Sequence, residues 1–140
     1  MANEVPGKSN TIRRLFREVF TFQISVDTAH VSQGLAVAEA ALKAGVTIIE
    51  LGTPLLKYEG VRNVVPIFRQ RFPGALLLAD MKTMDGGEGE ASAVYGGGGN
   101  VIDFLALAGV ATARALRRTG ALSTPGAGSS GTLTVRVILG

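Results

Sequence analysis

Acidic residues and a lysine stand where short apolar runs of this sequence end. Asp27 follows Gln23-Ile-Ser-Val26, and Glu50 lies inside Thr47-Ile-Ile-Glu-Leu51. Asp80 closes Ala75-Leu-Leu-Leu-Ala79 and opens Asp80-Met-Lys-Thr-Met-Asp85, which carries Lys82 and Asp85. Asp103 lies within Val101–Ala106. An acid in an apolar strand is costly unless it is paired or ligating. Glu50 and Asp80 both meet that description. Two carboxylates, completed by water and substrate oxygens, suit Mg²⁺. Lys82, two residues past Asp80, can point to the same side, pair with neighbouring acids and stabilise negative charge on an enediolate. The competing reading of the same cluster is a structural ion-pair network beneath a sheet, since such networks also gather acids and lysines.

These residues need elements to bring them together, and the hydrophobic pattern supplies strands alternating with helices. Phe22–Val26, Val46–Leu51, Ala75–Ala79, Val101–Ala106 and Leu133–Leu139 read as strands. Helices are expected over Val31–Lys43, stopped by Ala44-Gly45, over Gly60–Arg71, and over Val110–Arg118, ended by Gly120. Pro66 would kink the second of these or mark its true start. Residues 86–95 have helical character despite Gly86, Gly87 and Gly89. Ser123–Gly131 reads as a linker. Strands joined by helices of this length imply parallel βαβ units with right-handed crossovers. In such α/β folds ligands sit at the carboxyl ends of the strands, where the acids and Lys82 fall. The repeat suits either a barrel or an open doubly wound sheet.

Residues 11–20 precede this domain as an amphipathic helix with a basic face of Arg13, Arg14 and Arg17, read as solvated. The chain thus divides into a polar segment and helix over 1–20 and an α/β domain over 21–140. The 140 residues are too few for a complete eight-stranded barrel, which needs roughly 200. With no Cys and one His, thiolate sites, disulfides, a Cys nucleophile and poly-His metal cages are excluded. Fourteen Lys and Arg against eleven Asp and Glu give a modest excess, without a nucleic-acid motif. No apolar stretch has the length of a membrane span or signal core, so the expectation is a cytoplasmic protein with no membrane partner. Thirteen of the nineteen glycines lie after residue 85, and Gly96–Gly99 reads as a flexible turn rather than a phosphate nest. His30 reads as a surface or helix-start residue.

Three segments carry a family resemblance. Gln23-Ile-Ser-Val-Asp27, Ala44-Gly-Val-Thr-Ile-Ile-Glu-Leu-Gly-Thr-Pro-Leu-Leu-Lys-Tyr-Glu-Gly60 and Ala79-Asp-Met-Lys-Thr-Met-Asp-Gly86 resemble the 3-hexulose-6-phosphate synthase family. That family belongs to the orotidine 5′-monophosphate decarboxylase superfamily, which shares the Asp-x-Lys-x-x-Asp core. The match is strong over 21–86 and weak through Val101–Arg118 and Val135–Gly140. The resemblance implies a homodimeric (β/α)₈ barrel that condenses formaldehyde with ribulose 5-phosphate and uses Mg²⁺. It implies that Glu50 and Asp80 hold the metal and that Lys82 lies near the enediolate oxygens. Asp27 would contact substrate hydroxyls, and Asp85 would reach into the neighbouring subunit's site.

The family's sixth to eighth strands, with their phosphate-binding loops and a proton-handling histidine, have no counterpart in this sequence. Where the family carries an acid on the fifth strand, this sequence has Val135-Arg-Val-Ile138. The expected fold is therefore a partial (β/α)₈ barrel of about five parallel strands, with oligomerisation, aggregation or partial disorder after residue 86. Two other functions fit the same residues. One is a related decarboxylase acting on a sugar-acid phosphate or orotidylate. The other is a non-catalytic half-barrel that docks on a second chain.

Overall fold

The computed structural model describes residues 21–122 and 134–138. The helix expected over 11–20 and the linker expected over 123–131 lie outside the described residues. Five strands form one parallel sheet: β1 (Gln23–Val26), β2 (Ile48–Leu51), β3 (Leu76–Thr83), β4 (Val101–Leu105) and β5 (Thr134–Ile138). Their spatial order is their chain order, 1-2-3-4-5, with every neighbouring pair parallel. This decides between the two architectures that the repeat allowed. Right-handed crossovers that always step the same way keep their helices on one face, as in a barrel wall. A doubly wound sheet reverses its order partway.

The connecting helices are α1 (Val31–Lys43), α2 (Thr53–Glu59), α3 (Val61–Arg71), α4 (Gly87–Gly96) and α5 (Gly109–Leu122), the last preceded by a 3₁₀ turn over Ala106–Ala108. Helix α1 buries Gly34, Ala38 and Ala41, spaced so that they line one face. It ends where Gly45 N–H donates to Leu42 O and Val46 N–H to Ala41 O, which satisfies its last carbonyls. The segment after β2 departs from expectation. Thr53-Pro54 starts a short helix of its own, with proline pre-set for a first turn, and Gly60 (φ 82) separates it from α3. Pro66 neither starts α3 nor ends it. It lies inside, on the exposed side, where water can take the carbonyl it leaves unpaired. Gly120 likewise does not end α5, which runs on to Leu122.

The strand residues sort cleanly by parity. Val26, Ile49, Leu51, Leu77, Ala79, Ile102 and Phe104 face the helices and join Leu55, Val64, Val65, Phe68, Val94 and Leu116 in the main core. Each large side chain buried there contributes about 1.5–3 kcal/mol. Ile48, Leu78 and Val101 form a second, smaller cluster on the other face. Glu50 and Asp103 alternate with the helix-facing residues and so share this second face, as does Asp80, two residues beyond Leu78.

The glycine run between α4 and β4 is a packed junction, not a flexible turn. A Cβ at Gly97 would stand 3.0 Å from Val65 Cγ1, and one at Gly99 2.5 Å from Val94 Cγ1. Gly98 has φ 94 and lies under the Arg69 side chain. The Arg69 guanidinium donates to the carbonyls of Gly98 (2.8 Å), Phe72 (3.2 Å), Pro73 (2.8 Å) and Ala75 (2.9 Å) and to Asn100 Oδ1 (2.6 Å). Order therefore extends past residue 86: α4, β4 and α5 pack on the same core as the first half. No helix among the described residues is long and apolar enough to cross a membrane.

Candidate active site

The register of the sheet places the acidic residues before any side chain is considered. Ser25 pairs with Glu50, and Glu50 with Leu78. Asp80 lies two residues past Leu78 on the adjacent strand, which puts its Cα about 8 Å from that of Glu50 for ordinary strand rise and spacing. Both point to the face away from the helices, near the carboxyl ends of their strands, and both are nearly buried (8% and 5% exposed). Asp27 follows β1 at the same end and is exposed. Asp85 is exposed in the loop between β3 and α4.

The centre of the site is a knot of three side chains. Lys82 Nζ lies 2.5 Å from both carboxylate oxygens of Asp80 and donates to Thr53 Oγ1 at 2.7 Å. The Thr53 hydroxyl lies 2.8 Å from Asp80 Oδ2 and 2.8 Å from the Asp80 carbonyl, and can donate its single proton to either. Burial pushes the Asp80 carboxyl up, but the hydrogen bonds from Lys82 and Thr53 and the Lys82 charge outweigh it and hold the group below its ordinary value.

Lys82 reaches Asp80 by an irregular route. Regular alternation along a strand would suffice to bring residues 80 and 82 to one side, yet the β3–β4 register shifts between Ala79 and Thr83. Lys82 has φ 48, the one described non-glycine residue with positive φ. Such a conformation costs a lysine about 1–2 kcal/mol. Its backbone N–H leaves the ladder and donates to Asp103 Oδ1 at 2.9 Å. Asp103 is fully buried, and its Oδ2 has no hydrogen-bond donor among the described residues. Burial pushes the Asp103 carboxyl up to about 7, and the neighbouring Asp80 charge acts in the same direction.

Glu50 is held by β1. Gln23 Nε2 donates to its Oε2, and Ser25 Oγ donates to Oε1 at 3.4 Å. Gly52, just past β2, makes room for Asp27: a Cβ there would stand 2.1 Å from Asp27 Oδ1 and 2.8 Å from the Val26 carbonyl. His30 lies away from this cluster, at the start of α1, with Nδ1 3.2 Å from Glu59 Oε1 on the surface.

Sequence reasoning assigned no role to Thr53, Gln23 or Ser25. Gln23 and Ser25 were discoverable, since they alternate with Asp27 along the first strand and so share a face. Thr53 directly follows the strand that carries Glu50, the position where a side chain enters the rim. Asp103 was counted among the rim acids, but no sequence pattern marks the backbone amide it accepts from.

The donor set fits a hard divalent cation, because Glu50 and Asp80 offer only carboxylate oxygens on one face of adjacent strands. The described residues contain no group of three or more His, Asp or Glu side chains able to hold a metal. An ion held by this pair would complete its shell with water and substrate oxygens, and Lys82 now occupies the Asp80 oxygens it would use.

A family profile for orotidine 5′-phosphate decarboxylase / HUMPS proteins matches residues 21–131. The chain belongs to that family. It is 36% identical over 83 residues to a 3-hexulose-6-phosphate synthase of Mycobacterium gastri, covering 59% of this chain and 39% of the relative. It is 33% identical over 90 residues to a synthase of the same name from Methylomonas aminofaciens, covering 64% and 42%. Among solved structures, the 3-hexulose-6-phosphate synthase of Salmonella typhimurium superposes with a TM-score of 0.71 at 26% identity, over 86% of this chain and 51% of that one. The 3-keto-L-gulonate-6-phosphate decarboxylase of Vibrio cholerae O1 biovar El Tor superposes with a TM-score of 0.72 at 28% identity, over 84% and 51%. This family member thus spans about two-fifths of the length of these curated relatives and about half of the solved structures.

Proposed function

We propose that this family member carries the metal- and enediolate-handling half of a carbon–carbon lyase of the 3-hexulose-6-phosphate synthase type. The observation that carries this reading is the Thr53–Asp80–Lys82 knot facing Glu50 across one strand pair. The names of the curated relatives support it. In this reading the substrates are formaldehyde and ribulose 5-phosphate, the working unit is a homodimer, and the setting is the cytoplasm.

Glu50 and Asp80 would hold Mg²⁺, which when bound polarises the ketose carbonyl and neighbouring hydroxyl and acidifies the carbon beside them. Asp27, exposed at the rim and seated over Gly52, accepts hydrogen bonds from sugar hydroxyls. A base removes a proton from C1 of ribulose 5-phosphate, leaving an enediolate. The C1 electron pair then forms the new bond to the formaldehyde carbon, and the formaldehyde oxygen takes up a proton. The Lys82 ammonium group offsets the negative charge that develops on the enediolate oxygens. Asp80 and Thr53 fix that ammonium in place before the substrate arrives, so little reorganisation accompanies the reaction. Asp85 extends towards the site of a second subunit.

The test is consumption of formaldehyde by the purified chain, dependent on both ribulose 5-phosphate and Mg²⁺. Turnover should fall about 10²–10³-fold in Lys82→Ala, the cost of removing one preorganised charge. A folded chain that binds Mg²⁺ without turnover would defeat intact catalysis and leave only common ancestry. A second reading is favoured by the decarboxylase among the solved neighbours, which superposes as well as the synthases. Release of CO₂ from 3-keto-L-gulonate 6-phosphate, without formaldehyde uptake, would select it.

A further inference from the structure

We infer that Asp103 is a positioning residue: its carboxylate anchors the backbone of Lys82 and thereby aims the Lys82 ammonium at Asp80 and Thr53. The inference rests on the function proposed above for Lys82, but its geometry stands apart from it. Four observations converge. Lys82 is the single described non-glycine residue in the left-handed region. The ladder between β3 and β4 is interrupted where it lies. The amide freed by that interruption is bound by a side chain, Asp103 Oδ1 at 2.9 Å, and not by a β4 carbonyl. Asp103 is fully buried and its Oδ2 has no partner among the described residues, so the bond from the Lys82 amide is the one that offsets burial of its carboxyl group.

The physical link is the pleat. A bulge re-aims side chains, and here residues 80–82 stand opposite the single residue Asp103, so the left-handed backbone of Lys82 sets the direction from which its side chain starts. With an acceptor at position 103, the Lys82 amide is satisfied only in the displaced, positive-φ conformation. With none, that conformation leaves a part-buried donor unpaired, and the strand gains by returning to regular pairing. Lys82 then keeps the side it shares with Asp80, but its side chain starts from a different backbone direction and loses its fit between Asp80 and Thr53. The acceptor oxygen is what matters here. Asparagine, which keeps Oδ1, should hold the bulge, and alanine should release it.

The test compares wild type, Asp103→Asn and Asp103→Ala by competitive lysine acylation read by mass spectrometry. Lys43 and Lys57 serve as internal standards in each folded full-length chain. Lys82 is expected to react slowly in wild type and in D103N, because its ammonium is tied to Asp80 and Thr53. It should react at least about tenfold faster in D103A with both standards unchanged. Equal protection of Lys82 in a folded D103A overturns the inference. Should D103A not fold, amide hydrogen exchange at residue 82 of wild type decides. Protection supports the anchor, and exchange at the free-chain rate refutes it. In a preparation that turns over, D103A should lower kcat with little change in the KM for ribulose 5-phosphate. An inactive chain with a protected Lys82 would sink the synthase reading and leave this inference standing.

Discussion

Asp103 and Asp80 respond to pH in opposite senses. The Asp103 carboxyl is pushed up to about 7 in the fold, so the folded chain binds its proton more tightly than the unfolded chain does. Its contribution is complete below the unfolded value near 4 and is lost as pH rises through about 7, with a slope of at most about 1.4 kcal/mol per pH unit. Asp80 is held below its ordinary value, so its contribution is present above that value and is lost in stronger acid. Urea midpoints in chelator should therefore fall between pH 4.5 and 7.5, roughly the span between the two Asp103 values, and Asp103→Asn should flatten that fall. A wild-type midpoint that does not move across this span would contradict the assigned shift. Gly52→Ala should lower stability by roughly 1–3 kcal/mol, since the added methyl meets the Asp27 carboxylate and the Val26 carbonyl. Under the proposed function it should also weaken ribulose 5-phosphate binding, which titration calorimetry reads. The types and strand-end positions of Asp27, Glu50, Asp80 and Lys82 were legible in the sequence, because acids in apolar runs are rare without a reason. The αL backbone of Lys82 was not legible. Nothing local favours positive φ in a lysine, and the cause is a carboxylate twenty-one residues further along the chain.

At the level of elements, the junction from α4 into β4 depends on one cation. Arg69 binds four main-chain carbonyls and Asn100, whose own Oδ1 also accepts from Leu77 N–H at 2.9 Å. Arg69→Ala leaves several of these half-buried acceptors unpaired and should cost roughly 2–4 kcal/mol, measured by urea denaturation. Arg69→Lys should recover little, because a point ammonium cannot reach carbonyls spread around a planar fork. Helix α1 and the strands were readable from period and composition, and α1 matches its expected limits. Misreadings came from glycine and proline. Gly60 and Thr53-Pro54 create a separate α2, and Pro66 is tolerated on an exposed face. The run Gly96–Gly99 reads as slack in one dimension. In three dimensions Val65, Arg69 and Val94 crowd the Cβ positions of Gly97, Gly98 and Gly99, and only Gly96 stands in open space. Gly87 similarly lets α4 approach Thr112 and Ala115 of α5.

At the scale of the molecule, the described residues form a barrel wall with two edges. Among the described residues β1 and β5 each pair with one neighbour, and nothing joins them. Unpaired strand edges favour association. Sedimentation velocity over a wide concentration range should show an assembly of two or more chains, and a strict monomer would remove the proposed homodimer. The consecutive strand order has a further consequence, for synthesis. As the chain leaves the ribosome, each strand emerges beside the one already laid down, and no later segment has to thread between two earlier ones. Nearest-neighbour winding keeps every closure short and its entropic toll low. The wall can therefore assemble vectorially, stave by stave, with β1 and β2 free to pair before Asp80 and Lys82 leave the ribosome.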